Sequence, residues 1–283
     1  MKLWWQALQP LVPGLPHGAG HEDPGQWSWE PSIVVGTAVL VGAYLYGVGP
    51  LRRRYGWADR VDPWQVALFL LGNLILLLTL VSPLDVLSDD YLFSAHMVQH
   101  VLLVAIVPPL WLLGTPDWLL RPLLKPPFVL RLGRFLTHPY VAFIIFNLTF
   151  WLWHWPVLYD LALTSEPVHA LQHLTFLITA VISWWPVLSP LPELPRLSPP
   201  MQVAYLFAIC QPNVTLGALF VFSRGPLYQG YLDAPPLFGI SPVMDQQIGG
   251  LIMWIPGNLI YLVALSIILL RWLHQSQPGR ALG

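Results

Sequence analysis

Two histidine pairs have the spacing that a metal site in a helical protein needs. His96 and His100 lie near the start of one apolar run, and His169 and His173 open another. Residues four apart share one face of a helix, so each pair can direct two imidazoles at one point. Ionisable groups are costly inside a bilayer and tend to be functional there. The pairs therefore predict a metal or haem site inside a membrane bundle, with hydrogen bonding between helices as the alternative role.

The composition indicates a membrane protein. Of the 283 residues, 55% are hydrophobic and only 10% are charged, whereas soluble domains carry about 25% charged residues. A net charge of −1 gives no support to nucleic-acid binding. The single cysteine, Cys210, excludes a disulfide framework and a CxxC metal motif. The sequence also lacks a P-loop, a nucleophile elbow and an HExxH motif, which argues against ATP-driven transport and serine-type catalysis.

Seven apolar segments are each near the length of about 20 residues that a transmembrane helix needs. They predict an all-α, polytopic helical bundle in the lipid bilayer, with an external segment 1–30, a seven-helix domain 31–273 and a cytoplasmic tail 274–283. The predicted spans are Ile33–Gly49, Trp64–Ser82, Tyr91–Gly114, Pro139–Tyr159, Val168–Leu188, Met201–Phe222 and Gln247–Leu270.

The basic residues predict the orientation of this bundle. With seven spans, 11 of the 13 Lys and Arg residues fall in connections on one side, and only Lys2 and Arg224 fall on the other. The positive-inside rule makes the first side cytoplasmic. The N-terminus is then outside the cell and the C-terminus is in the cytoplasm.

This orientation places six candidate metal ligands at one depth. The third, fifth and seventh spans enter from outside, so both histidine pairs and Asp245 lie near the outer surface. His154 lies near the outer end of the fourth span. At 1.5 Å per residue, their depths differ by only about two helical turns. Imidazole suits copper, zinc and iron, so convergence of these residues would form a metal site. His17 and His21 lie on the external segment and are expected to be solvated.

Several short motifs resemble those of the CtaG family of cytochrome c oxidase assembly factors. The resemblance extends over nearly all seven spans, and it implies a role in maturing a haem–copper oxidase of a bacterial plasma membrane, with oxidase subunits as partners. The motifs are Ser82-Pro83-Leu84-Asp85, His96-Met97-Val98-Gln99-His100, Pro108-Pro109 with Leu113-Gly114, His154-Trp155-Pro156 and Asp245-Gln246-Gln247-Ile248-Gly249-Gly250-Leu251.

The hypothesis that joins these observations is a copper-binding assembly factor. Its four principal ligands would be His96, His100, His169 and His173, with His154 and Asp245 as nearby ligands or orienting groups. Three alternatives stay open: a seven-span zinc-dependent lipid hydrolase, a haem-binding membrane protein and a scaffold without metal. The first would use three histidines and a carboxylate to activate water.

Overall fold

The computed structural model describes residues 23–232, 234, 235 and 237–276, and these residues form helices and no strand. The predicted external segment and tail, including His17 and His21, therefore lie largely outside the described residues. Nine helices are labelled here: α1 Pro31–Tyr55, α2 Pro63–Val81, α3 Phe93–Gly114, α4 Pro127–Leu136, α5 Pro139–Trp153, α6 Pro156–Thr164, α7 Glu166–Leu188, α8 Pro199–Phe222 and α9 Pro242–Gln275. Shorter turns occupy Pro83–Val86, Leu87–Tyr91, Asp117–Leu120 and Arg121–Leu124.

The all-α membrane fold is confirmed. Six helices of the described chain are long and apolar enough to cross a membrane, namely α1, α2, α3, α7, α8 and α9. A seventh span results if α4 and α5, which meet at an angle of 68°, count as one. The predicted fourth span, Pro139–Tyr159, is too long: α5 ends at Trp153, and Pro156 starts α6. The residue before a proline is restricted to extended backbone, which Trp155 adopts (φ −67°, ψ 127°).

Proline also shapes the middle of α3. A π-helical turn at Leu102–Ile106 precedes Pro108, which has no N–H to donate to the carbonyl one turn earlier. That carbonyl, of Val104, accepts a hydrogen bond from the indole nitrogen of Trp184 on α7 at 3.0 Å. The break in α3 therefore becomes a polar contact between the two helices that carry the histidine pairs.

Helices α8 and α9 approach each other closely through glycine. A side-chain Cβ at Gly250 would lie 2.8 Å from the carbonyl oxygen of Gly217, and one at Gly217 would lie 2.9 Å from that of Gly250. A second π-helical turn, Met253–Gly257, interrupts α9, and its Met253 carbonyl accepts from Asn213 Nδ2 at 2.8 Å. These contacts fix α9 against α8 and set the position of its first turns.

The helices α3, α7 and α9 all begin at one end of the bundle, where α5 terminates. This is called the histidine end, because His96, His169 and His154 lie there. Beneath it, a cluster of buried side chains contains Phe93, Met97, Phe150, Trp153, Tyr159, Phe176, Phe220, Tyr228 and Tyr231. The imidazoles of the histidine end therefore pack on a layer of aromatic side chains, which holds them in fixed positions.

Candidate metal centre

The start of α3 is fixed by a carboxylate from α9. Asp245 is buried, and its carboxylate accepts hydrogen bonds from the backbone N–H groups of Phe93 (2.7 Å) and Ser94 (3.1 Å) and from the Ser94 hydroxyl. The first N–H groups of a helix have no partner within the helix, so this side chain caps α3 from another element. His96 follows at the end of the first turn, so this cap stabilises the turn that carries it.

The first histidine pair points into the bundle. Both His96 and His100 are buried, with exposed fractions of 0% and 5%. Their ring centroids are 4.2 Å apart, and their Nε2 atoms face each other at 2.8 Å. The four-residue spacing thus places both imidazoles at one point.

The second pair, on α7, faces the first across the helix interface. The ring centroids of His169 and His173 are 4.2 Å apart, that of His169 is 5.3 Å from His96, and that of His173 is 5.5 Å from His100. One ring nitrogen from each of His96, His100 and His173 lies within 4.8 Å of the other two. Because metal–nitrogen bonds are about 2 Å long, small rotations of these three rings would enclose one ion.

The structure places the remaining predicted ligands at the edge of this centre. The His154 ring centroid lies 5.9 Å from that of His100, and its Nδ1 is 2.7 Å from the Phe150 carbonyl oxygen. Within the described part of the chain, neither His154 nor Asp245 belongs to a group whose ligand atoms all lie within 4.8 Å. Asp245 is held by the α3 backbone, so its place in the structure is that of a group orienting the helix that carries His96.

A further candidate ligand, Asp89, was not among the ligands predicted from the sequence. It lies in the turn Leu87–Tyr91 before α3, and one of its carboxylate oxygens is within 4.8 Å of ring nitrogens of both His96 and His169. Its Oδ2 is 3.3 Å from Nδ1 of His169. The seven residues from Asp89 to His96 would be about two turns of an unbroken helix, but the backbone is extended at Leu92 (φ −134°, ψ 118°). Helical spacing counted back from His96 therefore does not predict where Asp89 lies.

Hydrogen bonds assign the tautomer of His96. The Tyr231 hydroxyl donates to the Ser88 carbonyl at 2.6 Å, so its oxygen is left to accept from His96 Nδ1 at 3.3 Å. The hydrogen of neutral His96 is then on Nδ1, and its Nε2 presents a lone pair toward His100. A partner of this kind fixes ring orientation in many metal-binding histidines. The Phe150 carbonyl plays the same part for His154.

The chemistry of the remaining nitrogens fits a metal ion. Buried polar atoms are normally paired, and each exception needs a physical explanation. Four imidazole nitrogens at this centre are buried and have no hydrogen-bond partner among the described residues, and a cation would accept lone pairs from them. They are His100 Nδ1, His154 Nε2, His169 Nε2 and His173 Nε2.

A loop between α8 and α9 closes the centre. Buried Asp160, on α6, accepts from the backbone N–H groups of Gln229 and Gly230, each at 3.1 Å. The Tyr228 hydroxyl donates to the His154 carbonyl at 3.0 Å, and Tyr231 reaches His96. Burial raises the pKa of Asp160 to about 6, although the two N–H groups partly offset this shift. The loop therefore contributes a side chain that contacts the first histidine pair.

These features define a polytopic helical membrane protein with a buried histidine and carboxylate cluster at one end of its bundle. The chain belongs to the family described as cytochrome c oxidase caa3 assembly factor (Caa3_CtaG), whose model matches residues 42–275. The resemblance noted in the sequence motifs is thereby confirmed.

Curated relatives come from mycobacteria. An uncharacterised protein of Mycobacterium bovis is 27% identical over 276 residues, covering 89% of this chain and 40% of its own length. An uncharacterised protein of Mycobacterium leprae is 26% identical over 270 residues, covering 88% of this chain and 40% of its own. The chain thus spans well under half the length of these relatives. No solved structure shows a significant match.

Proposed function

We propose that this chain binds copper at the histidine end and helps to metallate a haem–copper cytochrome c oxidase. In this proposal, the ion is bound by His96, His100 and His173, and His154 and His169 lie beside it. The observation that carries the proposal is the set of buried, unpartnered imidazole nitrogens around this position. Leaving them bare is costly in a low-dielectric interior, and copper binds imidazole strongly.

The packing of the rings favours a bare ion over haem. Between the two helices, the ring centroids of His96 and His169 are 5.3 Å apart and those of His100 and His173 are 5.5 Å apart. Four imidazoles therefore surround one point, whereas haem iron takes at most two axial ligands. A ligand-exchange site also suits an assembly factor, because an ion held by a few nitrogens can pass to the histidines of another protein.

The proposed location is the outer leaflet of a bacterial plasma membrane. The distribution of Lys and Arg places the histidine end toward the outside. Copper held at that depth can pass laterally to an oxidase subunit in the same membrane, without crossing the bilayer. The oxidase subunits are the proposed partners.

Metal retention tests the proposal. Protein purified in detergent is loaded with copper, dialysed against a chelator and analysed for metal, alongside a His100→Ala/His173→Ala variant. We expect about one copper per wild-type chain and less than about a tenth of that in the variant, since imidazole ligands dominate affinity at such a site. The His274→Ala variant changes a histidine at the far end of α9 and should retain copper as the wild type does. Equal copper in wild type and double variant would refute the proposed site.

The same preparation distinguishes the alternatives. Zinc that resists chelation, together with hydrolysis of an amide-linked lipid, would point to the hydrolase. A Soret absorption band would point to haem. Loss of folded protein in the histidine variants, with no metal in the wild type, would point to a scaffold.

A further inference from the structure

The cluster contains a second group of ligands that differs in chemistry from the first. Asp89, His96 and His169 have ligand atoms within 4.8 Å of one another, as do His96, His100 and His173. The group with Asp89 combines one carboxylate with two imidazoles, whereas the group with His100 and His173 has three imidazoles. They share His96, so the two groups describe neighbouring positions for one ion.

A large cavity reaches one of these positions from the side of the bundle. It has a volume of about 1,210 Å³ and is lined by α1, α2, α3 and α7. Its walls are apolar along the helices, with side chains such as Leu40 and Leu177. At the histidine end, its lining is polar and includes Asp85, Asp89, Asp90, Glu166, His169 and His173.

Access to the two positions is unequal. The cavity lining contains Asp89 and His169, together with His173 of the three-imidazole group, but neither His96 nor His100. Both of the latter are buried, and His96 has no exposed surface. A cation that enters by way of the cavity therefore meets the carboxylate, His169 and His173 before it meets the buried rings of His96 and His100. Carboxylates lining the polar end attract such a cation electrostatically.

We propose that Asp89, His169 and His96 form a loading position, from which copper is handed to the inner position of His96, His100 and His173. His96 stays bound throughout, while Asp89 and His169 are exchanged for His100 and His173. The ring centroids of His169 and His173 are only 4.2 Å apart, so the ion moves by a few ångströms. The step exchanges ligands only: no electron moves, and each imidazole binds through an unprotonated ring nitrogen. This proposal rests on the proposed copper function.

The hydrogen bonds near Asp89 make an asparagine substitution informative. The Ser88 hydroxyl oxygen lies 2.8 Å from Asp89 Oδ1, and Asp89→Asn retains an oxygen for that contact while removing the charged ligand. Asp90→Asn is the matched control, because it removes the same charge one residue away and Asp90 also lines the cavity. General electrostatic attraction predicts equal effects of the two substitutions, whereas ligation predicts an effect of Asp89 alone.

Stopped-flow quenching of tryptophan fluorescence by Cu(II) measures loading of the detergent-purified chain. We expect Asp89→Asn to slow uptake at least about tenfold, as loss of a ligand or its supporting group commonly does, with the final copper content unchanged. Asp90→Asn should load within about twofold of wild type. Equal rates for the two variants would refute the loading position.

Electron paramagnetic resonance of Cu(II) tests the loading position without the inner one. At saturating Cu(II), the His100→Ala/His173→Ala variant should bind a weakly held ion with mixed oxygen and nitrogen ligands. Adding Asp89→Asn should abolish that signal, and a signal that persists would contradict the proposal. A wild-type chain that binds no copper defeats the copper function itself, whereas copper bound with unaltered kinetics in Asp89→Asn defeats only the loading position. Thermal melting of each variant excludes misfolding.

Discussion

The carboxylate of Asp245 offers the sharpest test of how the metal centre is positioned. In the structure it accepts from two buried backbone N–H groups at the start of α3, those of Phe93 and Ser94. Replacement of Asp245 by alanine leaves both donors without this acceptor. A buried unsatisfied donor costs about 1–3 kcal/mol, so the two together predict a loss of roughly 2–6 kcal/mol in the free energy of unfolding.

Thermal unfolding in detergent measures this loss. About 1 kcal/mol corresponds to about 2–4 °C for a domain of this size, so Asp245→Ala should lower Tm by roughly 10 °C. Asp245→Asn keeps one acceptor oxygen and should lose about half as much. Asp117→Asn is the control, because its side chain is 40% exposed and its carboxylate pairs with Arg121 at 3.0 Å. Partly exposed pairs of this kind contribute about 0–1 kcal/mol.

Copper content separates the two roles of Asp245. If Asp245 acts as a cap, its replacement lowers Tm but leaves about one copper on each folded chain. If both Asp245 variants melt like the wild type, the capping argument is wrong. If copper is lost while Tm stays unchanged, Asp245 is a ligand of the ion.

Three further predictions follow from individual contacts. Tyr231→Phe removes the hydroxyl that orients His96, so copper affinity measured by chelator competition should fall about 10–100-fold; unchanged affinity would show that the ring is oriented by other contacts. The raised pKa of Asp160, about 6 against an ordinary 3.8, means that the folded chain binds a proton more tightly than the unfolded chain. Lowering the pH from 7 toward 4 should therefore stabilise the wild type relative to Asp160→Asn, and a constant difference in Tm would contradict that cause. Gly250→Ala places a Cβ 2.8 Å from the backbone oxygen of Gly217, so it should lower the free energy of unfolding by about 1–3 kcal/mol. The control is Gly42→Ala, where no atom lies within 4 Å of the added Cβ, and it should not lower Tm.

Much of the architecture was predictable because it depends on local properties of the chain. Hydropathy decides which segments enter a bilayer, and the helix is the form that satisfies their backbone groups there. The break at Pro156 is equally local, yet the predicted fourth span continued beyond it to Tyr159, whereas α5 ends at Trp153. The orientation derived from Lys and Arg stays a prediction.

The histidine spacing determined less than the full centre. Four-residue spacing places His96 beside His100, and His169 beside His173, on any α-helix. Whether the two pairs face each other depends on how α3 and α7 are rotated, which packing such as the Trp184 contact with Val104 decides.

The other members of the centre were decided by tertiary structure alone. Asp89 lies in the short turn Leu87–Tyr91, beyond the extended Leu92. Tyr231 lies in the loop before α9, 135 residues from His96 in sequence. Asp245 was predicted from the sequence to lie at the depth of the histidines. Only the fold shows that its carboxylate contacts the α3 backbone. Periodicity comes from hydrogen bonds between near neighbours, whereas these contacts come from the docking of distant segments, which no local pattern records.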